Sequence, residues 1–538
     1  MKRKIKTLLL FLLIVFAGKA QEQLSISLFT DRDVYISGET LLLKVDVPAT
    51  EKSGIVSIDL INQTGKKITG ILKEIVNHEA DGYIYLPDSL TSGCYLLRTS
   101  VKTSNIQTIK ALYISNRFNG LPLTNSGLQP AGITPVKEVQ NIGLQVKGIQ
   151  NHYKTREKVH TDLQIPADLL ENIDGNLLVN VSEIIPEFKT PEFTLNSNRQ
   201  KSTLVDHEGI ILEGTVTELR TAKPFKNALV YLSIPDSLPG FQYYITSDDG
   251  RFYFQIKNYY GKIPVVIQCY SRGQEQLLQI ALTDQDSLKH LMPMFEQQSF
   301  PPDLRKKVER NADALTYRKV FNQQEITVQP SPVIRRDIYP FYGIPTNVVD
   351  PQLFIDLPNF TEISRELLPG VKFRAFNRIP TLQVLNSAQF NYFTDPPLVL
   401  FDGIPTRDLN FIKEMGSKDI DKIEICQNER FFGDLSFQGI LAIYSTKADY
   451  SRIPATDNLI KLNLDVLQPQ AVLNDLPSQE VNNPDLRQVL LWKPLLKPGQ
   501  VIPIEFITSD IQGTFRMIVR GKTKDGSNFY KEQIFEVN

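Results

Sequence analysis

Thr40-Leu-Leu-Leu-Lys-Val-Asp-Val47 sends Leu41, Leu43, Val45 and Val47 to one side of an extended chain and Lys44 and Asp46 to the other. Side chains alternate across a strand, so this period of two predicts a β-strand with one buried face. The same texture recurs in Gly54-Ile-Val-Ser-Ile-Asp-Leu60 and Tyr95-Leu-Leu-Arg-Thr-Ser-Val101, with glycine, proline and aspartate between the runs. Residues 24–116 therefore read as an antiparallel sandwich. At 538 residues the chain is too long for one core, and about three to five domains are expected. The 59 basic residues against 60 acidic ones leave no global field to draw the chain onto nucleic acid or anionic lipid.

The N-terminus predicts the compartment. Lys2, Arg3, Lys4 and Lys6 precede an apolar run from Leu8 to Ala17, and Gly18-Lys19-Ala20 supplies small residues for cleavage before Gln21. Residues 1–20 read as a secretory signal peptide, too short to span a bilayer. Export across the inner membrane to the periplasm, with association to the outer membrane, is the expectation. Cys94, Cys269 and Cys426 each sit in an apolar strand-like run, which favours buried thiols while leaving room for one bridge.

Two motifs suggest a repeat. Tyr35-x-x-x-Glu39 and Tyr153-x-x-x-Glu157 each lead into alternating apolar residues, so a second sandwich is expected at 136–200. The stretch Asn116 to Pro135 reads as a linker. The segment from Phe29 to Thr40, with Leu86-Pro-Asp-Ser-Leu-Thr-Ser-Gly-Cys-Tyr95, resembles a macroglobulin-type domain. Residues 206–283, with Asp249-Gly250 before Arg-Phe-Tyr-Phe254, resemble the carboxypeptidase-regulatory, transthyretin-like domain. In the linker 284–345, Leu304, Val308, Ala312 and Leu315 are spaced for an amphipathic helix after Pro301-Pro302-Asp303.

Residues 346–447 carry the most specific resemblance. Leu353-Phe-Ile-Asp-Leu-Pro-Asn-Phe-Thr361, Pro397-Leu-Val-Leu-Phe-Asp-Gly-Ile-Pro405, Ile420-Asp-Lys-Ile-Glu-Ile425 and Gly439-Ile-Leu-Ala-Ile-Tyr444 are similar to the plug domain of TonB-dependent outer-membrane receptors. Thr361 is the expected cap of a short helix that Pro369-Gly370 ends, and Asp402-Gly403 the expected turn after a buried strand. A receptor barrel of 22 strands needs about 220 residues. Only about 90 follow Lys447, and 448–538 read instead as a C-terminal sandwich in which Phe515, Met517 and Val519 share a face.

The expected fold is thus mainly β and multidomain: tandem immunoglobulin-like or macroglobulin-type sandwiches, a transthyretin-like β domain and a small α/β plug-like domain. His78, His152, His160, His207 and His290 lie in no metal-ligand spacing, and no phosphate-cradling loop or nucleophile elbow occurs. Neither enzymatic activity nor a cofactor is expected. The resemblances imply a binding or scaffold protein that presents its plug-like domain to an outer-membrane transport or export partner, such as a barrel receptor or the TonB system. A macroglobulin-like protease-binding protein lacking the Cys-Gly-Glu-Gln thioester is the alternative. Arginine and aromatic residues dominate binding hot spots, so Arg407, Asp408, Arg430, Phe431 and Phe432 in the plug loops are the candidate protein-contact residues.

Overall fold

The computed structural model describes residues 26–48, 54–102, 104, 106–119, 124–128, 134–135, 138–140, 143–184, 192–196, 209–236, 238–271, 277–283, 295–299, 302–321, 323–330, 339–376, 379–475 and 483–538. The expected signal peptide lies outside them. The chain is mainly β and divides into two compact units, each assembled from separated stretches: 1–209 with 286–331 and 467–538, and 210–285 with 332–466.

In the first unit, strands Ser27–Thr30, Thr40–Asp46 and Glu79–Tyr85 form one sheet of a sandwich. The facing sheet holds Ile55–Ile61, Lys67–Glu74, Gly93–Val101 and Ile106–Ser115. Leu41, Leu43 and Val45 meet Val56, Ile58, Leu97 and Leu112 in the core, as the period of two requires. Strand Glu192–Asn196, expected at the end of the second sandwich, instead extends this sheet beside Ile106–Ser115. Helix Pro302–Val320 seats Leu304, Val308 and Leu315 against Ile36.

The second sandwich differs from expectation in a larger way. Strand Lys158–Gln164 pairs along its length with Val501–Ile507, and Ile173–Glu183 lies between Val489–Leu496 and Gly513–Thr523. One core unites Leu163, Val179 and Val181 with Phe515, Met517, Val519 and Phe535. The separate sandwiches read at 136–200 and 448–538 are therefore halves of one domain. Local alternation marks a strand's buried face and says nothing about which distant strand completes its ladder.

The Tyr-x-x-x-Glu repeat has matching geometry in both sandwiches. The Tyr35 hydroxyl accepts from Arg32 N at 3.1 Å and that of Tyr153 from Gln150 N at 2.7 Å. Glu39 Oε2 accepts from Ile36 N at 2.8 Å and Glu157 Oε2 from Lys154 N at 2.7 Å. Each motif begins inside a short strand, Val34–Ile36 or His152–Tyr153, that runs parallel to the strand beside it.

In the second unit, Ile210–Glu218 lies between Arg251–Ile256 and Leu278–Leu282. The facing sheet runs Gly240–Ile245, Leu229–Ile234, Lys262–Tyr270, Leu459–Asp465. Leu459–Asp465, read as part of the C-terminal sandwich, thus belongs here, paired antiparallel to Lys262–Tyr270. The 346–447 region forms a five-stranded mixed sheet in the order Asn347–Val349, Ile420–Phe432, Leu435–Ser445, Leu398–Phe401, Ile404–Pro405. Helix Phe360–Leu367 covers it, burying Phe360 and Ile363 with Phe401, Ile423, Ile425 and Leu441. Its cap is Asn359, whose side chain accepts from Glu362 N at 3.0 Å, and not Thr361 one residue inside the helix. Asp402 and Gly403 both have positive φ, 48° and 80°, as the tight turn demands.

Candidate contact surface

The hairpin joining Ile420–Phe432 to Leu435–Ser445 carries three of the five candidate residues. Successive side chains on a strand point to opposite faces, so Phe431 and Phe432 separate. Phe432 turns into an aromatic cluster, with ring centroids 5.4 Å from Phe241, 5.8 Å from Tyr243 and 5.3 Å from Phe341. Phe241 and Phe341 stack at 4.2 Å over buried Leu229, Tyr231 and Leu435. The turn is pinned to the same cluster, because Asp434 N donates to the Tyr243 hydroxyl at 2.8 Å. Phe432 therefore joins the 346–447 and 206–283 regions of this unit, and its ring is half-buried between them. Phe431 is 71% exposed.

Arg430 is half-buried, and its Nη2 donates to Ile344 O at 2.6 Å. Burial pushes the neighbouring Cys426 thiol above its ordinary range, with Arg430 opposing the shift. Cys94, Cys269 and Cys426 are all buried and unpaired, and burial raises Cys94 and Cys269 to about 12, so none offers a ready thiolate at neutral pH.

Arg407 is exposed and lies over the Tyr270 ring, 4.2 Å from its centroid. Burial raises the Tyr270 phenol to about 12 despite this cation. Tyr270 touches Tyr231, which touches Phe241, so ring contacts run from Arg407 to Phe432. Asp408 serves its own loop: Oδ1 accepts from Asn410 N at 2.9 Å and Nδ2 at 2.7 Å, a local turn that starts helix Asn410–Lys413. Of the five residues, Phe431 and Arg407 present side chains to solvent, Arg407 while resting on Tyr270, whereas Phe432, Arg430 and Asp408 are engaged within the fold.

Sequence reasoning missed a more conspicuous apolar surface. Leu353, Phe354 and Ile355 are consecutive and exposed, at 79%, 56% and 73%, where the short turn Pro351–Leu353 ends. Val348 on the neighbouring edge strand, Ile379 and Phe390 are exposed as well. A run of three apolar residues was visible, but neither period could say that its surface stays uncovered.

No protein-family model and no curated protein matches the chain. Among solved structures it is similar to Salmonella alpha-2-macroglobulin reacted with methylamine, at 11% identity over 95% of this chain and 39% of that one, with a TM-score of 0.23. It is also similar to the native conformation of E. coli alpha-2-macroglobulin, at 10% identity over 97% and 23% of the two chains, with a TM-score of 0.16. A tetra-tandem repeat from the extending region of a large adhesion protein aligns at 10% identity over 96% and 99%, with a TM-score of 0.13. The chain spans less than half the length of these macroglobulins, and superpositions this loose carry no functional argument. Among the described residues, no helix is long and apolar enough to cross a membrane, and no group of three or more His, Cys, Asp or Glu side chains is placed to hold a metal ion.

Proposed function

We propose that this chain is a non-enzymatic binding or scaffold protein of the periplasm or outer-membrane periphery, presenting its plug-like module to a protein partner in outer-membrane transport or export. One observation carries the reading: the consecutive exposed side chains Leu353, Phe354 and Ile355. Scattered surface apolar residues are ordinary, whereas a contiguous strip marks an interaction surface. Phe431 and Arg407 form a secondary part of the proposed contact surface, and Phe432 supports it from within.

The test is crosslinking in intact cells followed by mass spectrometry, with wild-type chain and a Leu353→Ser/Ile355→Ser variant. The expected result is an outer-membrane barrel or TonB-system protein crosslinked to the wild type and lost from a variant of normal abundance. Recovery of soluble periplasmic proteins alone, equally with both chains, overturns the reading.

A further inference from the structure

Within the first unit, one buried ionic node ties four segments together. Asp31 and Glu39 are both 0% exposed, and the side chains of Arg32 and Arg318 are each 6% exposed. Arg32 Nε donates to Asp31 Oδ2 at 3.0 Å and Arg32 Nη2 lies 3.4 Å from Glu39 Oε2. From helix Pro302–Val320, Arg318 Nη2 reaches Glu39 Oε1 at 3.3 Å while its Nη1 pairs with Glu325. Glu325 Oε2 in turn accepts from Thr40 N at 2.7 Å. The second sandwich closes the node through Gln488, which accepts from Arg32, and through Asn180 and Ser182, which donate to Asp31 O at 2.8 and 2.9 Å.

Three carboxylates here face two guanidiniums. The other neighbours leave this imbalance standing: Tyr35 donates to Asp31 Oδ1 at 2.8 Å, and Arg487 is matched by its own Asp485 at 2.7 Å. A cavity of about 350 Å³, lined by Arg32, Arg318, Glu325, Arg487 and Gln488, adjoins the node. The second sandwich holds the control. Glu157 makes the same bond to the backbone as Glu39, yet it is not buried in such a cluster, so the motif itself needs no paired arginines.

We propose that this node is a proton-linked lock, which takes up one proton between Asp31 and Glu39 as helix Pro302–Val320 closes on the first sandwich, with the adjoining cavity as the proton's route. One proton brings the node to two negative against two positive charges and removes the surplus buried charge, which is costly to keep from water. The electrostatics agree in direction. Burial raises Asp31 against the pull of Arg32, and raises Glu39 with help from Glu325 against Arg32 and Arg318. Burial would raise Glu325 too, but Arg318 and Arg32 hold it below the ordinary range. Glu39 and Glu325 oppose one another, and because the guanidiniums hold Glu325 ionised, the proton is left to the raised groups, Asp31 and Glu39.

Through the window above the ordinary carboxylate range, the folded node binds more protons than the unfolded chain. Closure therefore weakens as pH rises, by up to about tenfold in the opening equilibrium per pH unit. The test is hydrogen exchange of the helix amides in the full chain from about pH 5 to about pH 8, corrected for intrinsic rates. Wild-type protection is expected to fall across this range. Glu39→Gln and Glu325→Gln each remove one negative charge while keeping an acceptor oxygen, so each should flatten the slope. Should Glu39→Gln fail to fold by circular dichroism, Glu325→Gln decides. A flat wild-type profile, or an unchanged slope in the folded variants, overturns the proposal.

Discussion

Phe431 and Phe432 are chemically identical neighbours with opposite employment. Alternation along Ile420–Phe432 dictates that they point apart, but only the rings of Phe241 and Phe341 determine which face is covered. Removing Phe432 empties part of that cluster, so Phe432→Ala should cost about 2 kcal/mol, below the fully buried range because its ring is half-buried. Phe431→Ala should stay within about 0.5 kcal/mol. Urea unfolding of the two variants checks the contrast. Asp59 offers a second residue-level test. It is buried, and although burial alone would raise its carboxyl, Lys67 at 2.6 Å and Arg98 at 2.7 Å hold it below the ordinary range. A lowered folded-state pKa contributes stability above the unfolded value, and that contribution disappears as pH falls through the folded one. Asp59→Asn should therefore lose about 3 kcal/mol near neutrality, by stranding the buried Arg98, and show a shallower acid loss than wild type. An acid titration followed by circular dichroism at graded urea measures both.

At the scale of elements, what the sequence made legible was local. Leu41, Leu43 and Val45 announced a strand, Asp402-Gly403 announced a turn, and Leu304, Val308 and Leu315 announced a helix face, because each pattern is written within a few residues. The helix cap was misplaced by two residues, since Asn359 and Thr361 both have capping chemistry and the choice depends on which residue leaves the helical conformation. Asn359→Ala should destabilise its unit by about 1 kcal/mol and Thr361→Ala by clearly less, as urea midpoints would record. Partnership was not legible. Lys158–Gln164 alternates cleanly, yet its mate is Val501–Ile507, far along the chain. A fragment covering 24–200 should therefore remain insoluble or protease-sensitive alone and become protected when co-expressed with 483–538, which co-purification would reveal. The candidate site was half legible for the same reason: residue types pointed to the hairpin, but whether Leu353-Phe354-Ile355 or Phe432 lay uncovered was decided by neighbours remote in sequence.

At the scale of the molecule, mainly β composition and several cores were foreseeable, but the order of assembly was not. Both units return to earlier material after a long excursion. Strand Ile173–Glu183 is an interior strand of its sheet, and both its neighbours, Val489–Leu496 and Gly513–Thr523, are made about 300 residues after it. At about 5 to 20 residues per second, that strand waits on the order of 15 to 60 seconds for its flanks. During that interval Val179 and Val181, wholly buried in the finished sandwich, have no native cover from those flanks. An unpaired strand with an apolar face invites adventitious pairing. For the newborn chain the hazard is one of waiting: residues 173–183 stay open to wrong partners until residues 489–523 arrive to flank them.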